Sequence, residues 1–422
     1  MLKSRTAKMM IVMIGIGLLA VVVYQIPAIN NRLSWRIDIA QTYLRGMVQP
    51  VESVPTPEAV FIAPTQEPTP SLTLEPTLTA SILPPGTKTP SSTPTPTFTP
   101  TPTFLPESVS LPSPTWVRQD WNNCGPAALT MYLRYYGWGG DQFQISDLLK
   151  PARNDRNVNI EELDYYVRNY AGWLNTLYRV GGDIGMLKQF VAEGIPVMVE
   201  TSFYFDAPYW PNDDLWAAHY LLVTGYDQAA QTFTVQDTFH GPDEILSYET
   251  LDEYWQPFNR LYMLIYTPDQ EETVQAILGD QWDEDLNRQH ALKVAEAETE
   301  ADPGDNYAWF NLGTNLLYFE RYQDAALAYD EARNIGWPQR MLRYQFGPFF
   351  AYFHAGRTED LLTMTEYALQ RTPNSEEAHL WRGWGRYRSG DVNGAIADFQ
   401  AALAVNPNNW DAQYALDFVL NQ

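Results

Sequence analysis

Apolar and polar residues follow five different rules along this chain of 422 residues. Met9 to Tyr24 is a nearly unbroken apolar run, close to the roughly 17–25 residues that cross a bilayer as a helix. Lys3, Arg5 and Lys8 precede it and orient such a helix with its N-terminus inside. The competing reading is a cleavable signal peptide, but no small-x-small site directly follows the run. Residues 1–28 are therefore expected to be a transmembrane anchor. In 29–49, Ile29, Leu33, Ile37, Ala40, Tyr43, Leu44 and Met47 recur at helical spacing between arginines, which predicts an amphipathic juxtamembrane helix. All periodicity then stops. Residues 50–115 hold more than half of the chain's 31 prolines among Thr and Ser, and cannot build a core. At about 3.1 Å per residue, this disordered Pro/Thr-rich stalk would span up to about 200 Å.

From 116 to 268 the pattern is compact and mixed. Helical spacing predicts helices over 124–137, with Gly137 as stop, and over 142–149 and 159–170; a fourth covers 184–192, capped by Asp183 and ended by Gly194. Apolar runs at 196–201, 217–226, 232–235 and 260–266 predict strands, so helices come first and the sheet follows. From 271 to 422 the chain is all-helical with a period near 34 residues. Trp309, Leu312, Gly313, Leu316, Ala325, Tyr329, Ala332 and Pro338 define one unit. Tyr352, Gly356, Ala368 and Pro373 mark the next, and Gly383, Gly390, Ala395, Phe399, Ala402 and Pro407 a third. Gly279, Trp282, Ala291 and Ala295 suggest a degenerate first unit, and 410–420 a terminal capping helix. This array resembles tetratricopeptide repeats, whose small residues let paired helices approach closely.

The formal charge of −24 combines a basic segment 1–50, with six Lys and Arg against Asp38, and a strongly acidic remainder. Such acidity, with no basic stripe, argues against nucleic-acid binding. No cofactor is implied, and no His/Cys cluster has metal-ligand spacing. Acidic pairs such as Asp213-Asp214 read as solvated. The single cysteine, Cys124, excludes disulfides within the chain, and it stands where a loop gives way to a helix. A helix N-terminus offers unpaired N–H groups and a positive dipole end, which favour a thiolate and can hold an oxyanion.

A thiolate nucleophile needs a base and a group to orient that base. Of five histidines, three lie in the repeats, leaving His219 at the start of a strand and His240 in a turn. His219 has strand support and ranks first. Asp237 ends the next strand and would reach its far ring nitrogen if the two strands pair. Gln119 is the first choice for an oxyanion donor beside the Cys124 N–H, with Asn122 and Asn123 as alternatives.

Gln119 with Asn123-Cys124-Gly125-Pro126-Ala127, then Ala218-His219-Tyr220-Leu221-Leu222-Val223-Thr224-Gly225-Tyr226, then Val235-Gln236-Asp237, resembles cysteine peptidase family 39, which has papain-like folds. The resemblance implies Cys124 as nucleophile, His219 as general base, Asp237 as its orienter and Gln119 as oxyanion donor. The family's glutamine commonly lies one residue further from the cysteine. Family members that cleave double-glycine leaders are fused to transporters, but here no G-x-x-x-x-G-K-[ST] loop is present. The expected architecture is therefore multidomain, an α+β papain-like cysteine peptidase domain plus an all-α repeat solenoid, with a transmembrane helix and a stalk before them.

The expected function is a membrane-anchored, extracytoplasmic peptidase acting on a peptide or protein substrate, with repeats recruiting a protein partner. The other readings are a catalytically inactive peptide-binding scaffold, a transglutaminase-like or amidase activity, and a protein secreted after signal cleavage. Trp381, Trp384, Tyr344 and Tyr387 are candidate groove residues of the repeats.

Overall fold

The computed structural model describes residues 2–24, 26–50, 52–57, 105–153, 155, 158–208 and 210–421. The expected stalk falls mostly on 58–104, outside the described residues. Helix α1 spans Leu2–Tyr24 and α2 spans Pro27–Val48, with Pro27 at its first turn, where a missing N–H costs nothing. Among the described residues, no helix is long and apolar enough to cross a membrane. The expected anchor falls on α1, which is helical as expected but does not qualify as such a span.

The mixed domain starts earlier than the composition suggests. Strand β1 (Ser108–Ser110) lies inside the expected stalk yet pairs with β4 (Trp216–Asp227). Between them come α3 (Cys124–Tyr135), α4 (Gln142–Leu149), α5 (Ile160–Tyr170), β2 (Asn175–Arg179), α6 (Ile184–Ala192) and β3 (Val197–Tyr204). After β4 follow β5 (Thr232–Asp237), β6 (Gly241–Ser247), α7 (Tyr248–Trp255) and β7 (Tyr262–Tyr266). The antiparallel sheet has the order β2-β7-β3-β4-β5-β6, with β1 beside the end of β4.

Both faces of this sheet are covered, which is why its central strands read as continuous apolar runs rather than alternating ones. Val197, Val199, Leu221, Val223, Tyr262 and Leu264 pack with Leu187 and Phe190 of α6. The intervening Met198, Tyr220, Leu222, Met263 and Ile265 pack with Leu129 and Tyr132 of α3 and Leu163 of α5. Leu221 lies directly opposite Asp237 in the β4–β5 register, which sets Asp237 diagonally across from His219.

The helical region runs through α8 (Glu271–Leu278), α9 (Glu284–Ala301), α10 (Asn306–Tyr318), α11 (Tyr322–Ile335), α12 (Gly347–His354), α13 (Thr358–Arg371), α14 (Glu376–Arg388), α15 (Val392–Val405) and α16 (Trp410–Leu420). A Cβ on Gly313 would meet Tyr329, and one on Gly383 would meet Phe399, so equivalent helix pairs cross at equivalent glycines. The regular alternation breaks after α11, where a 3₁₀ turn, Gln339–Arg343, packs against β4. Contrary to the expectation of a solvated pair, Asp213 is buried and ion-paired at 2.5 Å with Arg340 of that turn. Trp216 stacks on Phe258 at 5.8 Å and joins the same apolar cluster as Phe310, Tyr329 and Phe349. The mixed domain and the helical region therefore share a core.

Candidate active site

The turn that delivers Cys124 is pinned from beneath. Asn122 takes the left-handed conformation (φ +48°), and Asn123 caps α3 without a side-chain cap bond. Instead Asn123 Nδ2 donates to Gln142 Oε1 at 2.7 Å, and the same oxygen accepts the Asp120 N–H at 2.8 Å. Gln142 Nε2 donates to the Arg118 carbonyl at 2.9 Å. Lys150 Nζ gathers the carbonyls of Trp121, Asn122 and Arg153 at 3.0–3.2 Å. Burial pulls the Lys150 pKa down, and the charges of Asp155, Cys124 and Asp120 oppose it. One carboxamide and one ammonium, both from α4 and its C-terminus, thus fix the backbone around the half-buried thiol. Neither carries a local sequence signal, and the sequence reading missed both.

His219 is 3% exposed on β4, and its Nε2 stands 2.7 Å from Asp237 Oδ1. Cys124 lines the same cleft, and with Nε2 committed to Asp237, Nδ1 is the nitrogen left for the sulfur. Burial pulls the His219 pKa down, but Asp237 and then Cys124 outweigh it and push it up to about 10. Asp237 is driven well below the usual carboxylate range: burial raises it, and the bonds from His219 and His240 more than reverse that.

His240, the rival base, plays a different part. Its Nδ1 lies 2.7 Å from Asp237 Oδ2, while the Phe239 and His240 N–H groups donate to Asp237 Oδ1 at 2.7 and 3.1 Å. It braces the carboxylate from the solvent side, with a side chain 53% exposed. Gln119 is fixed by its N–H to the Thr238 carbonyl (3.0 Å) and by Thr238 Oγ1 donating to its Oε1 (2.7 Å). This orients the carboxamide and leaves its Nε2 as the donor end. Asn123 is spent on Gln142, so of the three amide candidates it is the least suited to an oxyanion.

Cys124, His219 and Gln119 line one cleft of about 350 Å³. Its walls carry Trp121, Phe203, Phe205, Trp210 and Phe239 from the mixed domain. Arg340, Arg343 and Tyr344 come from the helical region. Tyr344, expected in a groove of the repeats, therefore belongs to this cleft. Behind the nucleophile, burial first and the Cys124 charge second hold the Glu200 carboxyl well above its ordinary range, next to Tyr220. Among the described residues, no group of three or more His, Cys, Asp or Glu side chains could hold a metal ion.

A thiol at a helix start, a buried histidine on the wall of the same cleft and a carboxylate behind that histidine are thus brought together. Residues 111–263 match the Peptidase_C39 like family. Residues 376–409 match a tetratricopeptide repeat. The peptidase-like domain is thus followed by repeats, in the order anticipated from sequence. Similar solved structures include xylellain, a cysteine protease from Xylella fastidiosa (16% identity, covering 39% of this chain and 87% of that one, TM-score 0.29). Another is the peptidase domain of Streptococcus ComA, a bifunctional ABC transporter involved in a quorum-sensing pathway (15%, 37% and 99%, 0.29). A thermophilic tetratricopeptide repeat protein of Thermus thermophilus matches at 21% identity (32% and 74%, 0.26). No curated protein matches the chain.

Proposed function

We propose that the chain is a cysteine peptidase whose Cys124, His219 and Asp237 act as a triad with Gln119 as oxyanion donor. The observation that carries this reading is the buried 2.7 Å His219–Asp237 pair set against the only thiol, at a helix N-terminus in an open cleft. His219 takes the Cys124 proton, and the sulfur becomes the attacking thiolate. The sulfur attacks the peptide carbonyl, and the oxyanion is held by the Cys124 N–H and Gln119 Nε2. His219 Nδ1–H protonates the departing amine and leaves an acyl-enzyme. Neutral His219 then takes a proton from water, whose oxygen attacks the thioester, and the acid product departs as the thiolate and imidazolium are restored.

The aromatic lining favours a bulky apolar side chain near the cleaved bond rather than a glycine pair. The repeats give the enzyme a second protein-binding surface. The apolar run after Lys3, Arg5 and Lys8 supports an N-terminal anchor with the peptidase and repeats outside the membrane.

The test is iodoacetamide alkylation of Cys124 in the detergent-solubilised full chain across pH 5–10, beside peptide cleavage. Rapid alkylation at mildly acidic pH that is lost in His219→Ala, with cleavage abolished by Cys124→Ala, is the expected result. Alkylation that follows an ordinary thiol in both proteins removes the basis for the reading.

A further inference from the structure

Residues 52–57, Glu52-Ser53-Val54-Pro55-Thr56-Pro57, immediately precede the proline-rich tract, yet they are placed against the repeats. Prolines at 55 and 57 remove alternate N–H groups, so the segment cannot join a sheet, and its carbonyls must find donors elsewhere. Tyr367 of α13 donates its hydroxyl to the Glu52 carbonyl at 2.8 Å. Arg333 of α11 donates Nε to the Pro55 carbonyl at 3.0 Å and Nη2 to that of Thr56 at 3.1 Å. Val54 enters the apolar cluster that includes Ala332, Leu361 and Met364 and is 7% exposed.

The Arg333 side chain is fully buried, and its remaining fork is held by Asp360 at 2.8 Å and Tyr352 at 2.9 Å. A buried guanidinium that keeps its carboxylate but loses two carbonyl partners is left with unsatisfied N–H groups. The groove is thus built to receive a peptide backbone.

A second contact lies just upstream. Helix α2 buries Thr42 and Gly46, and a Cβ on Gly46 would run into the Pro211 carbonyl oxygen. Asn212 Nδ2 donates to the Gly46 carbonyl at 2.9 Å, and Arg371 Nη2 donates to the Asn212 carbonyl at 2.8 Å. At 100° per residue, Leu33, Ile37, Leu44 and Met47, all exposed, lie on the opposite face of α2. On the far side of the tract, the Pro106 carbonyl accepts from Tyr226, and β1 pairs with β4.

We propose that the α11–α13 groove is a binding site for an extended, proline-containing backbone, and that residues 52–57 of this same chain fill it. Residues 52–57 and 106–110, on either side of the tract, then belong to one body. The body packs on the face of α2 that carries Thr42 and Gly46. A partner that presents a similar segment to this groove must first displace the chain's own.

The test uses the full chain in detergent, with a protease recognition site engineered within 58–105. After cutting, the 1–57 fragment is expected to co-elute with the body on size exclusion. Gly46→Leu combined with Val54→Asp is expected to release it at least tenfold faster, with the helical content of the body retained. Tyr367→Phe, which removes one hydroxyl, is expected to speed release several-fold, and an excess of synthetic peptide 45–57 to displace the fragment. Departure of the unaltered fragment on cutting overturns the proposal. Retention of the fragment by the double variant, or indifference to the peptide, does the same.

Discussion

Asp237→Asn is the most informative single change, because it keeps the shape of the side chain while removing the charge that His219 faces. Lifting a histidine from 6.5 to about 10 corresponds to roughly 5 kcal/mol of preference for the imidazolium, at about 1.4 kcal/mol per pKa unit. Burial works against that preference, so without the carboxylate only Cys124 opposes it. The sign follows directly. The protonated ring is the active form, and a raised pKa keeps it protonated to higher pH, so activity is lost as pH rises through about 10. In Asp237→Asn the ring deprotonates earlier. The alkaline limb of kcat/KM should move down by at least about 2 pH units, with a loss of about 10²–10⁴-fold at pH 7.5. His240→Ala is the control, since that ring grips the other oxygen and leaves the His219 contact in place; a loss under about tenfold is expected. The assay is cleavage of a fluorogenic peptide from pH 5 to 11. An alkaline limb that stays near 10 in Asp237→Asn, or a larger displacement in His240→Ala, refutes the assignment.

The same pair sets a pH window for stability. The raised His219 pKa contributes fully below about 6.5 and is lost as pH rises to about 10, while the depressed Asp237 contributes above about 3.8. Urea midpoints should therefore fall between pH 6 and 10 more in the native protein than in His219→Gln. Gln119→Ala should lower kcat by about 10²–10³-fold with KM changed by less than about threefold, read from initial rates. Arg340→Met removes the nearest cation from the buried Asp213 but leaves Arg343 at 3.7 Å, so it should cost less than the about 3–5 kcal/mol of a fully orphaned charge in chemical denaturation, much of it recovered in Arg340→Met with Asp213→Asn. Phe205→Ala and Tyr344→Ala should each lower kcat/KM for a phenylalanine-containing peptide by at least about tenfold while sparing a diglycine one; equal losses on both would rule out an aromatic subsite.

What could be read from sequence follows from what the sequence encodes locally. Asp183 and Gly194 bracket α6 as expected, the former accepting the Met186 N–H and the latter at φ +79°. The strands VMV, YLLV and YMLIY announced themselves because both of their faces are buried. Strand β6 was missed because its residues are mostly exposed and show no apolar alternation, and β1 because three residues in a proline-rich context have no pattern until β4 supplies a partner. In the site, the order of Cys124, His219 and Asp237 was legible, but the sharing of one carboxylate by two histidines was not. It depends on a turn that points Phe239 N and His240 N at the same oxygen. Asp213-Asp214 looked like a solvated pair because its counter-ion, Arg340, lies 127 residues away.

Trp216 stands three residues before His219 on the same strand, yet its ring is part of the apolar cluster of the repeats. Fusion of a peptidase-like domain to a repeat array ordinarily leaves two parts that can be exchanged, like a tool and its handle. Here that freedom is gone. Drift in the array around residues 337–344 is inherited at once by the mouth of the cleft. Changes in what the repeats hold and in what the thiol accepts must then be selected together, and a graft of foreign repeats would arrive with the wrong wall.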